Sequence, residues 1–92
     1  QELIKNTPTL AEMTVKAIEL MKNNKAGFAL QVEGGKVDWA AHANDLSGLI
    51  FDQLAFDEAV GKVIEFAEKD GETLVIFTTD HGNSNPGLFY AD

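Results

Sequence analysis

"TLVIFTT", residues 73–79, decides how this chain is to be folded on paper. Five of its seven residues are β-branched, and apolar positions do not alternate with polar ones. A short run of that kind reads as a strand covered on both faces, as in a parallel sheet. "GFALQV", residues 27–32, has the same character and reads as a second buried strand. Between them, from about Asp45 to Lys69, a long helical pattern sets Leu49, Phe56, Val60, Val63, Ile64 and Ala67 on one side. Asp52, Asp57, Glu58, Lys62, Glu65, Glu68 and Lys69, with Asp45 at its start, supply a solvated face. Asp70-Gly71 is a plausible stop, and Gly61 weakens the helix where it could bend. Upstream, Thr7-Pro8-Thr9 opens another helix, with Pro8 suited to the first helical position and Thr9 and Glu12 to a capping box. Leu10, Met13, Ala17, Leu20 and Met21 recur along it, and Asn23-Asn24 ends it.

Helix, strand, helix, strand is an α/β order. The predicted architecture is a slice of a three-layer α/β/α parallel-sheet domain, its two strands joined by the long helix in the right-handed crossover that about 98% of such units adopt. Two strands are too few for a stable parallel sheet, so residues 1–92 read as part of a larger domain. Phe28, Leu30, Leu74 and Ile76 are then expected to be exposed where no helix covers them. The apolar side chains of "NPGLFYAD", residues 85–92, likewise have no visible partner in the sequence.

Composition narrows the function classes. Apolar residues make up 45% of the chain, which is globular material. A net charge of −8 argues against binding nucleic acid or an anionic membrane surface and suits a protein that takes up cations. There are no cysteines, which excludes disulfides and thiolate metal sites. No apolar run is long enough to span a bilayer, and no signal peptide is visible.

The chemistry-bearing residues gather at the ends of the two apolar runs. "QVEGGKVDWAAHAND", residues 31–45, places Glu33 directly after the first, followed by two glycines that allow a sharp turn, then Asp38 and His42. The i, i+4 spacing of Asp38 and His42 puts both side chains on one face of a helical turn. Asp80 and His81 follow the second run. Ligand sites of open α/β sheets form beyond the carboxyl ends of strands, and both histidines of the chain belong to this set. Carboxylate oxygen mixed with imidazole nitrogen suits zinc, or magnesium where oxygen dominates. Taken singly each residue has a plainer role: an ion pair on a helix, a turn cap, a solvated carboxylate. Trp39 reads as a packing residue.

"EGGKVDWAAHAND", then "LAFDEAV", then "TLVIFTTDHGN", resembles the alkaline phosphatase family, and "TPTLAEMTVKAIELMKNN" fits the helix that precedes the first motif there. The resemblance runs from about Thr7 to Gly87, and its Glu-x4-Asp-x3-His spacing is highly specific. It implies hydrolysis of phosphate monoesters by two zinc ions, one magnesium ion and a serine nucleophile, in a periplasmic or extracellular enzyme. By position, Glu33 matches the magnesium carboxylate, Asp38 and His42 match ligands of one zinc, and Asp80 and His81 match ligands of the other. The resemblance also implies that nucleophile, phosphate-clamping arginine, a metal-bridging aspartate, a threonine at the magnesium site and a third zinc histidine lie elsewhere. Ser47 and Ser84 stand in the wrong motifs, and the chain has no arginine. On this reading the chain alone is inactive, and it associates with further copies or with the missing parts of its parent. "TTDHGN" is also similar to cofactor-independent phosphoglycerate mutases, although the spacing in "EGGKVDWAAH" favours the phosphatases. A non-catalytic cation-binding or assembly module is the remaining class.

Overall fold

Thr9 sets the start of the first helix. Its hydroxyl oxygen accepts from the Glu12 amide at 3.1 Å, and the same hydroxyl donates to the Glu12 carboxylate at 3.2 Å. One orphan amide of the helix terminus is thereby satisfied, as the capping pattern predicts. The helix, α1, runs Leu10–Met21, so Pro8 precedes the cap rather than occupying the first helical position. Asn24 closes it off: its main-chain amide donates to the Met21 carbonyl at 3.0 Å, and its side-chain oxygen accepts from the Ala26 amide. The structure, a computed structural model, describes residues 6–83. The apolar segment at residues 85–92 and Ser84 lie outside them.

Two further helices follow, α2 over Gly35–His42 and α3 over Leu46–Asp70. Asp45 caps α3 by accepting from the Gly48 amide at 3.0 Å, and Gly71 ends it in the left-handed region at φ 75°. That conformation costs glycine nothing sterically. The helix continues unbroken through Gly61. It is the spine of the arrangement: α1 and α2 each pack on it and do not touch one another.

The contact surfaces are built from small side chains. Ala11, Ile18, Ala40, Ala41 and Ala59 are the buried apolar residues, and buried Thr14 satisfies its hydroxyl by donating to the Leu10 carbonyl at 2.7 Å. The buried face of α1 is thus Ala11, Thr14 and Ile18. Met13 and Leu20, on the stripe that periodicity pointed to, are exposed. Two apolar stripes run along this helix, and periodicity alone does not say which one meets α3.

The predicted α/β slice is not what forms. Among the described residues the ordered elements are three α-helices, with no strand and no sheet, so there is no parallel pair and no crossover. Among the described residues no backbone–backbone hydrogen bond engages residues 28–33 or 73–79. The physical reason is locality. A helix closes its hydrogen bonds within its own sequence, whereas a strand exists only beside another strand. Residues 27–32 are held instead by side-chain contact, the Phe28 ring lying 6.2 Å from that of Phe66 on α3. Phe28, Leu30, Leu74 and Ile76 are all exposed, as expected of apolar runs without cover.

Candidate functional site

Helix α2 did not appear as an element of its own in the sequence pattern, yet it carries the centre of the site. Gly34 precedes it at φ −87°, ψ 61°, and the Val37 amide donates to the Gly34 carbonyl at 3.1 Å. Phe56 of α3 packs directly against Gly34, leaving no room there for a side chain. Glu33, exposed just before the turn, lies near Gly35, where a Cβ would stand 3.7 Å from its Oε1. At the other end the Ala43 amide donates to the Trp39 carbonyl and the Asp45 amide to the Ala40 carbonyl. Asn44 makes the junction to α3 in the left-handed region at φ 51°.

Asp38 lies in the first turn of α2 and His42 in the last. A carboxylate in the first turn suits the helix dipole, which favours negative charge near the N-terminus. The i, i+4 spacing places them as expected: Nε2 of His42 is 3.3 Å from Oδ2 of Asp38. Trp39, one residue on, is 72% exposed and so is not the packing residue its type suggested.

Asp80 and His81 form a second pair, with Nε2 of His81 3.5 Å from Oδ2 of Asp80. The His81 amide donates to Oδ1 of Asp80 at 2.9 Å, which holds that carboxylate against its own backbone. Nδ1 of His81 is 2.8 Å from the Gly82 carbonyl. A carbonyl only accepts, so Nδ1 carries the proton and Nε2 is left as the free nitrogen of the neutral ring. The Gly82 carbonyl, then the Asp80 carboxylate and more weakly Asp38, hold His81 above its ordinary pKa, against a small opposing effect of burial.

The influence of Asp38 on His81 reflects how the two pairs are brought together. The side-chain amide of Asn83 donates to the main-chain carbonyl of Asp38 at 3.0 Å and also to its carboxylate Oδ1. In the sequence Asn83 stands within "TTDHGN", where its residue type announces no role. Its signal was proximity to the Asp80-His81 pair, which a search for ligand types passes over.

Whether these donors fit a metal can be asked of their spacing. Zinc bonds of about 2.0–2.2 Å at a tetrahedral angle place neighbouring donors about 3.4 Å apart. The two observed separations, 3.3 and 3.5 Å, lie on either side of that value. The span of each pair is compatible with two donors to one zinc ion. Glu33 contributes hard oxygen, the donor that magnesium takes alongside water. Among the described residues no three such side chains converge on one point.

Comparison with known proteins gives a consistent picture. The alkaline phosphatase family model matches residues 2–88. The chain is 54% identical over 78 residues to an alkaline phosphatase of Escherichia fergusonii, an alignment covering 85% of this chain and 16% of that protein. It is 55% identical over 78 residues to alkaline phosphatase H of Pseudomonas aeruginosa, with the same coverage of 85% and 16%. Against the alkaline phosphatase of Escherichia coli the identity is 50% over 80 residues, covering 87% and 17%. The chain thus spans about a sixth of the length of these curated relatives. No solved structure matches.

Proposed function

This chain belongs to the alkaline phosphatase family, and from that premise we propose that it is part of a larger phosphatase domain and supplies half of a metal site for phosphate monoester hydrolysis. Asp38 and His42 would hold one zinc ion, Asp80 and His81 a second, and Glu33 a magnesium ion. Bound metals in such a site polarise phosphoryl oxygens and activate a nucleophile at neutral pH. The observation that carries the reading is the donor spacing of 3.3 and 3.5 Å in both carboxylate–imidazole pairs.

The chain's own residues do the binding and orienting. Asp38 and Asp80 present one carboxylate oxygen each beside an imidazole Nε2, and the Gly82 carbonyl fixes the His81 tautomer that leaves this nitrogen free. Outer partners of that kind orient a metal-bound histidine and raise its basicity. Glu33 stands at the turn into α2, where its carboxylate would supply hard oxygen to a magnesium ion. A serine nucleophile and a phosphate-clamping arginine are supplied from elsewhere in the parent, because no arginine occurs here and neither serine stands in a nucleophile motif. The parent is periplasmic or extracellular on family grounds. No helix among the described residues is long and apolar enough to cross a membrane.

Zinc titration of the chain, followed through the ring resonances of His42 and His81, tests the reading. Both rings should respond, with weak affinity because only two ligands serve each ion, and His42→Ala should abolish the response at its own pair alone. Hydrolysis of an aryl phosphate by the chain should not exceed a buffer-plus-metal control. Zinc-insensitive histidines would overturn the ligand assignment. Activity that survives purification and vanishes in His42→Ala would overturn the division of labour.

A further inference from the structure

Asp70-Gly71 is the chain's one Asp-Gly step, and no Asn-Gly occurs in it. An aspartate before glycine is the pair most open to attack on its carboxyl by the next backbone nitrogen, because glycine has no Cβ to hinder ring closure. The pair lies at the exposed C-terminal end of α3, and helix ends open locally before their middles do. Apart from its chain neighbours, nothing among the described residues stands within 4 Å of a Cβ built on Gly71. A succinimide ring therefore has room to form. Two hydrogen bonds oppose it. The Thr73 hydroxyl donates to Oδ2 of Asp70 at 2.6 Å, and the Gly71 amide donates to the Ala67 carbonyl at 2.9 Å. The first holds the carboxyl that would be attacked, and the second holds the nitrogen that would attack.

We propose that Asp70-Gly71 is a latent site of isoaspartate formation, held shut in the folded chain by the Thr73 hydroxyl and the Ala67 carbonyl. The reaction needs water and no other reactant. The Gly71 nitrogen gives up its proton and bonds to Cγ of Asp70, a Cγ–O bond breaks, and a water molecule leaves. Water then opens the ring. Attack at the side-chain carbonyl restores aspartate. Attack at the main-chain carbonyl leaves the chain running through Cβ and Cγ, with the former main-chain carbonyl as a free carboxylate. Both hydrogen bonds stand against the first step. The nitrogen must lose the hydrogen it donates to Ala67, and the carboxyl must be free to turn about its χ torsions to meet that nitrogen. The product inserts an extra backbone carbon between α3 and residues 73–79, the segment that leads to Asp80 and His81. Its new carboxylate is a substrate for methyl transfer from S-adenosylmethionine by a protein isoaspartate methyltransferase, which supplies a readout.

Incubation of the full chain near neutral pH, followed by peptide mapping with mass spectrometry and by methyl acceptance, tests this. The unsubstituted chain should isomerise at Asp70 about tenfold or more slowly when folded than in urea, the factor that two such hydrogen bonds supply. That comparison needs no variant. Thr73→Val removes the hydroxyl and keeps the β-branched shape. It should speed isomerisation of the folded chain about two- to tenfold, the range one hydrogen bond supplies, and leave the rate in urea unchanged. Thr73→Ser restores a donor and should return the folded rate to within about twofold of the original. Helix content by circular dichroism reports folding of each variant. Equal rates in the folded chain and in urea would overturn the proposal, as would an isoaspartate signal at Asp70 absent from both. A folded Thr73→Val chain that isomerises no faster than the original would also overturn it, because the hydroxyl would then not be holding the carboxyl back.

Discussion

Gly34 and Phe56 touch so closely that a Cβ on Gly34 would stand 2.7 Å from Cδ1 of the ring, 3.0 Å from Cγ and 3.2 Å from the Phe56 Cβ. The crowding reaches the root of the side chain, so a rotation of the ring does not relieve it. This contact seats the turn between Glu33 and helix α2 on α3, and it explains why α2 starts without a side-chain cap.

Gly34→Ala is accordingly expected to destabilise the chain by about 1–3 kcal/mol, the usual range for overpacking a tight contact. Gly61→Ala should do the opposite. Gly61 lies inside α3, and nothing stands within 4 Å of a Cβ built there. Relief of the glycine penalty in a helix interior is worth about 0.5–1 kcal/mol. Urea unfolding of the two variants side by side should give shifts of opposite sign. Two shifts in the same direction would contradict this account of the packing.

The α2–α3 junction depends on Asn44 at φ 51°. Asparagine tolerates that region better than most residues, and glycine tolerates it freely. Asn44→Gly should leave stability nearly unchanged, whereas Asn44→Val should cost about 1–2 kcal/mol through its β-branched side chain. The helix that follows is capped by Asp45, and Asp45→Ala should cost about 1 kcal/mol more. Thermal or denaturant midpoints of the three variants check the order.

Local signals in the sequence were good guides to helix ends and poor guides to partners. Thr9, Asp45 and Gly71 act within one turn of themselves, and each sits where capping chemistry puts it. The i, i+4 pair of Asp38 and His42 was legible for the same reason. "TLVIFTT" was not, because its composition states a preference for pairing and cannot supply the neighbour. Met13 and Leu20 mark a real apolar stripe on α1, but the choice of Ala11 and Ile18 as the buried one depends on α3. Asn83 was invisible for the opposite reason. Its meaning lies in a contact with Asp38 across 45 residues, and no local pattern announces it.

His81 should titrate above the ordinary histidine value of about 6.5. The Gly82 carbonyl is the main cause, followed by the Asp80 carboxylate, with Asp38 contributing less. A pKa raised in the folded state means protonation favours folding. That contribution is fully present below the unfolded value and is lost as the pH rises through the raised one. Proton NMR titration of the His81 ring should show a midpoint above 6.5, lowered by Asp80→Asn and by a smaller amount in Asp38→Asn. Since zinc binds only the unprotonated ring, its affinity should fall as pH drops through the same window. A midpoint at or below the ordinary value would refute the assigned hydrogen bond.

Large apolar side chains stand open to solvent among the described residues, and that predicts association. Leu74 is 83% exposed, Ile76 and Leu20 are each 74% exposed, and Phe77 and Phe51 are also open to solvent. Around Leu74 and Ile76 the backbone engages in no backbone–backbone hydrogen bond among the described residues, which leaves a template for pairing with another chain. Contiguous apolar surface of more than a few hundred Å² seeks a partner. Sedimentation velocity over a micromolar concentration series should show oligomers that grow with concentration. Replacing Leu74 and Ile76 together by lysine should shift the distribution toward monomer, because charges on an unpaired segment block edge pairing. A monomer at every concentration that also unfolds cooperatively would show that the described residues bury enough surface by themselves, and would overturn the expectation.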